Sequence, residues 1–235
     1  MKCARVAGPD TMRAAQLDLL IRRIGGLRGL AWGVADFGED DLFPEEAAVM
    51  TRACPARRAE FAAGRQAARR AMARLGLDPT PIPMGPDRAP VWPDGIVGSI
   101  SHAQGLCLAV VARARDVLSL GVDVEGDAPL TAELIPEICL PEELALLPDA
   151  ARPALATRLF SAKEAAYKAH YPLASHVFGF HGLAVDLTEG RARFTDHPEV
   201  AAIPPESRMD LPLRQATGGG LILSLCATPA RAPSH

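Results

Sequence analysis

The sequence has little surplus charge: 25 lysines and arginines stand against 28 aspartates and glutamates, a formal net charge of -3. That balance gives no general attraction to nucleic acid or to an anionic membrane, so neither is expected as a partner. No apolar run approaches the roughly 20 residues of a membrane span, and membrane insertion is not expected. At the N-terminus Asp10, Arg13, Gln16 and Asp18 interrupt the apolar residues, which leaves no core for a signal peptide. The cysteines, Cys3, Cys54, Cys107, Cys139 and Cys226, are odd in number and lack C-x-x-C spacing. This argues against a disulfide framework or a zinc site, and the expectation is reduced thiols in a cytoplasmic protein.

What is present is enough apolar material for a core, 49% of 235 residues, in one large domain or two small ones. Residues 12 to 24 have the spacing of an amphipathic helix, Leu30 to Val34 read as a strand after the Gly25-Gly26 break, and Pro44 opens a short helix through Met50. A longer helix covers 57 to 75 and stops at Gly76. Phe61, Ala68, Met72 and Leu75 line one side of it, and six arginines, Arg57 and Arg65 among them, crowd the rest. Such a face is either solvated or an anion site, because guanidinium forks grip phosphates. The proline-rich stretch 78 to 95 holds Ile82, Val91 and Trp92, apolar enough to pack as an ordered extended crossing.

Strands are expected at 96–101, 106–113 and 118–125, joined by short turns as an antiparallel meander. A helical stretch follows at 130–147, then a helix with Pro153 in its first turn and Pro172 at its end, then strands at 179–187, 191–195 and 220–227. The order is helix then three strands, twice. It predicts an α+β fold of two similar halves, each a helix with a three-stranded antiparallel sheet, related by a pseudo-twofold axis and divided as 1–127 and 128–235. No residue-level identity between the halves is visible in the sequence.

Three groups of residues carry possible chemistry. On the later helix Ser161, Glu164 and Lys168 form one polar stripe; by itself a Glu–Lys pair four apart is most simply a solvated ion pair. In the third strand Leu120, Val122 and Val124 point one way, and Gly121, Asp123 and Glu125 the other. Two carboxylates at i and i+2 repel one another unless a cation or proton intervenes, and a few oxygen ligands with room for water and phosphate describe a Mg²⁺ site. His102, directly after Ser99-Ile100-Ser101, sits beside two hydroxyls and can donate to a phosphate.

The segments GSISH (98–102), GVDVE (121–125) and FSAKEAAYKA (160–169), in this order, resemble the 4'-phosphopantetheinyl transferases of the surfactin-type and enterobactin-synthetase component D branch. GVDVE alone is a weak signal; joined to F-S-x-K-E-x-x-x-K it is highly specific. Arg57 through Arg65 and the stretch Arg88 to Pro93 are similar to the same branch, and the likeness spans about 57 to 180. The resemblance implies transfer of the phosphopantetheine arm of coenzyme A to a serine of an apo acyl or peptidyl carrier protein, with release of adenosine 3',5'-bisphosphate. It also implies two similar α+β halves with the site between them. By motif position Asp123, Glu125 and Glu164 hold Mg²⁺, with Mn²⁺ a possible substitute; Glu164, Lys168 and Lys163 are catalytic. Arg57, Arg65, Arg88, Ser101 and His102, together with Lys163 and Lys168, bind the phosphates of coenzyme A. Related members carry a lysine where this chain has Met84, so one contact is missing or moved to Arg88. A site formed within one chain makes a monomer the simpler expectation. The competing readings are a metal-dependent phosphohydrolase and a noncatalytic coenzyme A-binding protein.

Overall fold

Alanine lines one side of each of the two long helices, and it decides how closely the sheets approach. In chain order the computed structural model contains α1 (Pro9–Ile24), β1 (Ala31–Asp36), α2 (Pro44–Ala48), α3 (Pro55–Ala73), β2 (Ile96–Ala103), β3 (Leu106–Arg113), β4 (Val117–Gly126), α4 (Ile135–Ile138), α5 (Pro141–Ala145), α6 (Arg152–Ala174), β5 (Leu183–Asp186), β6 (Arg191–Phe194), β7 (Leu211–Gly218) and β8 (Leu221–Pro229). It describes residues 9–24, 26–38 and 41–230, so Cys3 and Gly25 lie outside the described residues. Among the described residues no helix is long and apolar enough to cross a membrane. Cys107, Cys139 and Cys226 are buried free thiols, and Cys54 is an exposed one.

The α+β character and the antiparallel sheets agree with expectation, but the meander does not form. β2 and β3 make the expected hairpin, whose other edge is taken by β1, giving the order β1-β3-β2. With β3 paired on both sides, β4 has no edge to join there. It turns the corner after Arg113 and pairs antiparallel with β8, placing Asp123 opposite Ser224. The strand bearing Asp123 and Glu125, which a division at 127 assigns to the N-terminal half, thus belongs by hydrogen bonding to the second sheet.

That sheet has five strands, β4-β8-β7-β6-β5, rather than three. The unexpected one, β7, alternates buried Leu211 and Leu213 with exposed Pro212 and Arg214. Its proline hides the strand signal but sits opposite Arg191 of the short β6. Two helix boundaries also differ. Pro141 splits the stretch 130–147 into α4 and α5, whereas Pro172 lies inside the last turn of α6, which runs on to a left-handed Ser175.

The repeated unit is strand, helix, strand, strand. In β1-α3-β2-β3 and again in β4-α6-β7-β8, the last strand lies between the other two strands of its unit. β3 is buried on both faces: Cys107, Ala109 and Val111 meet the alanines of α3, while Leu108, Val110 and Ala112 join a central cluster. Leu120, Val122 and Val124 of β4 and Leu221, Leu223 and Leu225 of β8 enter that cluster from the second sheet, and Leu17, Leu20 and Ile21 of α1 complete it. Beyond the second sheet lie Ala162, Ala165, Ala166 and Ala169 of α6. The layers are helix, sheet, sheet, helix.

Each helix meets the first strand of its unit through a glycine. A Cβ on Gly33 would lie 2.2 Å from the Ala67 carbonyl oxygen, and one on Gly121 would lie 1.9 Å from that of Ala165. Helical backbone cannot retreat from such a clash as a flexible side chain can. Gly121→Ala is therefore expected to cost about 3 kcal/mol or more in urea unfolding, the upper end of overpacking penalties. Gly38→Ala, at an exposed glycine with no described neighbour within 4 Å of an added Cβ, should stay within about 0.5 kcal/mol.

Candidate active site

With Gly121 pressed against Ala165 and Ala169, the same face of β4 carries Asp123 and Glu125 past the next polar turn of α6, where Glu164 and Lys168 stand. Asp123 is 2% exposed. Its Oδ1 accepts from Lys168 Nζ at 2.7 Å and from the Ser101 hydroxyl at 3.1 Å, while its Oδ2 is buried with no hydrogen-bond partner among the described residues. Lys168 Nζ also lies 3.9 Å from Glu164 Oε2. The Glu164–Lys168 pair is thus part of a cluster reaching β4 and β2, and not a surface ion pair alone.

Burial, aided by neighbouring negative charge, holds Glu125 and Glu164 toward the neutral form. Burial, then Asp123 and Glu164, push Glu125 up to about 7, with Lys168 opposing. Burial also raises Glu164, again against Lys168 and with Asp123 adding to the rise. Among the described residues no three acidic, histidine or cysteine side chains converge as a ready metal-ligand set; the Lys168 ammonium stands between Asp123 and Glu164. An unpartnered buried Asp123 Oδ2 and two carboxylates with raised pKa are, even so, what a divalent cation would relieve. The oxygen donors suit Mg²⁺ or Mn²⁺.

β2 and β4 lie side by side with serine hydroxyls between them. Ser99 Oγ accepts from Val122 N–H at 3.0 Å, and Ser101 Oγ accepts from Val124 N–H at 3.1 Å while donating to Asp123. Ser101 also accepts from Lys168 at 3.4 Å, which leaves its hydroxyl fully engaged. The expected phosphate ligand is thus a fastener between the two sheets. Ser161 is corrected likewise: fully buried, it hydrogen-bonds Ser224 at 2.8 Å and leaves the Glu164–Lys168 stripe.

Two further cations are turned away from the cluster. Arg65 is buried, stacks on Phe61, and donates to the carbonyls of Ile82 at 2.9 Å and Pro83 at 3.4 Å; burial lowers its pKa to about 10. Lys163, 1% exposed, pairs with Glu143 at 2.8 Å and donates to the carbonyls of Ile138 and Phe180. Arg57 and His102 share Glu60, the first by a short ion pair and the second at 3.0 Å, on the surface of the N-terminal half.

A cleft of about 870 Å³ runs beside the cluster, between the Gly85–Trp92 loop, β2 and the C-terminal part of α6. Arg88, Trp92, Ser99, Lys168 and Tyr171 are among its walls. A cavity of about 100 Å³ opens on the other side, lined by Lys163, Glu164, Tyr167, Phe178, Phe180 and Leu183. Tyr167 borders both spaces and went unnoticed in the sequence, although it lies three residues from Glu164 and so shares its helix face.

Comparison with known proteins agrees with this geometry. A family model described as the 4'-phosphopantetheinyl transferase N-terminal domain matches residues 45–112, and one described as the 4'-phosphopantetheinyl transferase superfamily matches 119–225. The chain is 42% identical over 197 residues to 4'-phosphopantetheinyl transferase Svp of Streptomyces mobaraensis, covering 81% of this chain and 80% of that one. It is 43% identical to 4'-phosphopantetheinyl transferase PptT of Mycobacterium tuberculosis over 58% of this chain and 61% of that one. Enterobactin synthase component D of Salmonella typhimurium is 41% identical over 48% of each chain. The chain belongs to the 4'-phosphopantetheinyl transferase superfamily.

The fastening role of Ser101 has a measurable consequence. Ser101→Ala strands the buried Val124 N–H and should lower stability by about 1–3 kcal/mol in urea unfolding. His102→Ala, at an exposed ring, should change it by less than about 0.5 kcal/mol.

Proposed function

We propose that this chain transfers the 4'-phosphopantetheine arm of coenzyme A to a serine hydroxyl of an apo acyl or peptidyl carrier protein, releasing adenosine 3',5'-bisphosphate. The observation that carries the reading is the meeting of Asp123, Glu125, Glu164 and Lys168 beside the large cleft between the two repeated units. In the reaction the serine oxygen forms a bond to the phosphorus of the phosphopantetheine arm, the pyrophosphate P–O bond breaks, and the serine proton must be taken up.

Glu164 is the group we assign to take that proton. Its raised pKa brings a carboxylate closer to the range in which a general base is efficient. Lys168 presents its ammonium both to the cluster and to the cleft, where it can neutralise charge developing on the leaving phosphate. Asp123, Glu125 and Glu164 would hold Mg²⁺, or Mn²⁺ in its place, which when bound supplies charge neutralisation on the pyrophosphate. Arg88 in the cleft wall, with Arg57 and His102 exchanging Glu60 for a phosphate, would bind the 3'-phosphate end of coenzyme A. Ser101 and Lys163 are left out of the ligand set because their donors are already engaged, and Arg65 because it is buried over Phe61 with its fork turned to the carbonyls of Ile82 and Pro83. The reading carries with it a cytoplasmic monomer whose thiols stay reduced.

Incubation with coenzyme A, Mg²⁺ and apo carrier proteins, followed by mass spectrometry of the carriers, tests the reading. A carrier should gain one phosphopantetheine. Release of the bisphosphate without a carrier would favour a phosphohydrolase instead, and coenzyme A binding with no added mass would favour a noncatalytic protein. Asp123→Asn and Glu164→Gln should each lower transfer by roughly 10²- to 10³-fold with the fold retained, as judged by circular dichroism. Arg57→Ala should raise KM for coenzyme A about tenfold at unchanged kcat, and should narrow the preference over 3'-dephospho-coenzyme A.

A further inference from the structure

The two units share a residue pattern that the sequence alone does not disclose. Phe43-Pro44-Glu45-Glu46 opens α2, and Leu140-Pro141-Glu142-Glu143 opens α5. In both, the second glutamate folds back and is buried. Glu46 Oε2 accepts from Phe43 N–H at 3.0 Å and its Oε1 from Ile82 N–H at 2.8 Å. Glu143 Oε2 accepts from Leu140 N–H at 2.8 Å and its Oε1 from Val185 N–H at 2.7 Å. Each carboxylate therefore ties a short helix to a later extended segment, and each faces a cation of its long helix: Arg69 of α3 at 3.0 Å and Lys163 of α6 at 2.8 Å.

The glycine contacts fix how the long helices correspond. Gly33 meets Ala67 and Ala71 as Gly121 meets Ala165 and Ala169, and this register puts Lys163 at the place of Arg65. Both of those side chains donate to two backbone carbonyls, Arg65 to Ile82 and Pro83, Lys163 to Ile138 and Phe180. In the first unit the arrangement is a fastening, and the same register gives Gln66 where the second unit has Glu164. In the second it lies one residue from Glu164 and ties down Ile138, Leu140, Phe180 and Val185, of which Phe180 lines the small cavity on which Glu164 and Lys163 both open.

We infer that Glu143 and Lys163 form a buried clasp that positions Glu164, and that Lys163 acts through this clasp and not as a ligand of phosphate. The inference rests on the transfer reading for its kinetic consequence and on geometry for its structural one. With three acceptors around it and 1% exposure, the Lys163 ammonium has no donor left for a substrate. Removing it alone leaves the Glu143 charge buried and unpaired, whereas neutralising both sides removes that penalty.

The test compares Lys163→Met with the double variant Lys163→Met, Glu143→Gln. The single change should lower kcat roughly 10- to 100-fold, as a misplaced catalytic group does, while KM for coenzyme A moves less than about twofold. The double variant should recover most of the lost kcat and a higher urea midpoint than the single one. A double variant that regains its midpoint yet transfers no faster than Lys163→Met would overturn the proposal, since the ammonium itself would then be needed. A rise in KM at parental kcat would overturn it too, as would parental kcat and KM in a chain with a lowered midpoint. If Lys163→Met does not fold, the double variant decides alone: folded and active supports the clasp, folded and inactive defeats it. Should the parent chain modify no carrier at all, the transfer reading fails separately, and the clasp stands or falls on whether the midpoint losses of the two single changes exceed that of the double.

Discussion

The buried carboxylate of Asp123 is the constraint on which the remainder turns. It belongs to β4 of one sheet, accepts from Ser101 on β2 of the other, and accepts from Lys168 on α6. A carboxylate 2% exposed would be strongly disfavoured without such partners. Here a hydroxyl from across the seam and an ammonium from the overlying helix supply them. One oxygen remains without a hydrogen-bond partner among the described residues. That oxygen, beside two further carboxylates whose pKa values are raised, turns a structural junction into a place where a cation and a pyrophosphate can be received.

The positions of these groups follow from apolar packing. Alanine on α6 and glycine on β4 let backbone touch backbone, so Asp123 and Glu125 pass directly beneath Glu164 and Lys168. The opposite face of the same strand, Leu120, Val122 and Val124, is held in the central cluster and prevents a slip in register. The serines of β2 then complete the seam by meeting the N–H groups of Val122 and Val124. A strand with one apolar face and one acidic face therefore joins the core and the site in a single element.

Much of this was legible in the sequence, and the misses have physical causes. The alternation of β4 gave its two faces, and the spacing of Glu164 and Lys168 gave their shared side of the helix, because both depend only on local periodicity. The pairing of β4 with β8 was hidden because it depends on whether β3 has a free edge, which a short turn does not reveal. β7 was hidden by Pro212, and the ends of α5 and α6 by prolines whose effect depends on how near a terminus they fall. Lys163, Arg65 and Ser101 were read as ligands because a motif records residue type and not where a side chain finds its acceptors. The repeat of Pro-Glu-Glu before α3 and before α6 was too brief to stand out until the glycine contacts supplied a register.

Two spaces meet at this cluster, a large cleft on the Lys168 side and a small cavity on the Glu164 side, with Tyr167 bordering each. The central claim is that Asp123, with Glu125 and Glu164, couples a divalent cation to coenzyme A in that place. Calorimetric titration of Mn²⁺ into the parent chain and into Asp123→Asn, each with and without coenzyme A, addresses it directly. Coenzyme A should tighten Mn²⁺ binding to the parent, Mn²⁺ should tighten coenzyme A binding by the same factor, and Asp123→Asn should abolish the coupling. Equal Mn²⁺ affinity with and without coenzyme A in the parent, or undiminished coupling in Asp123→Asn, would contradict the account.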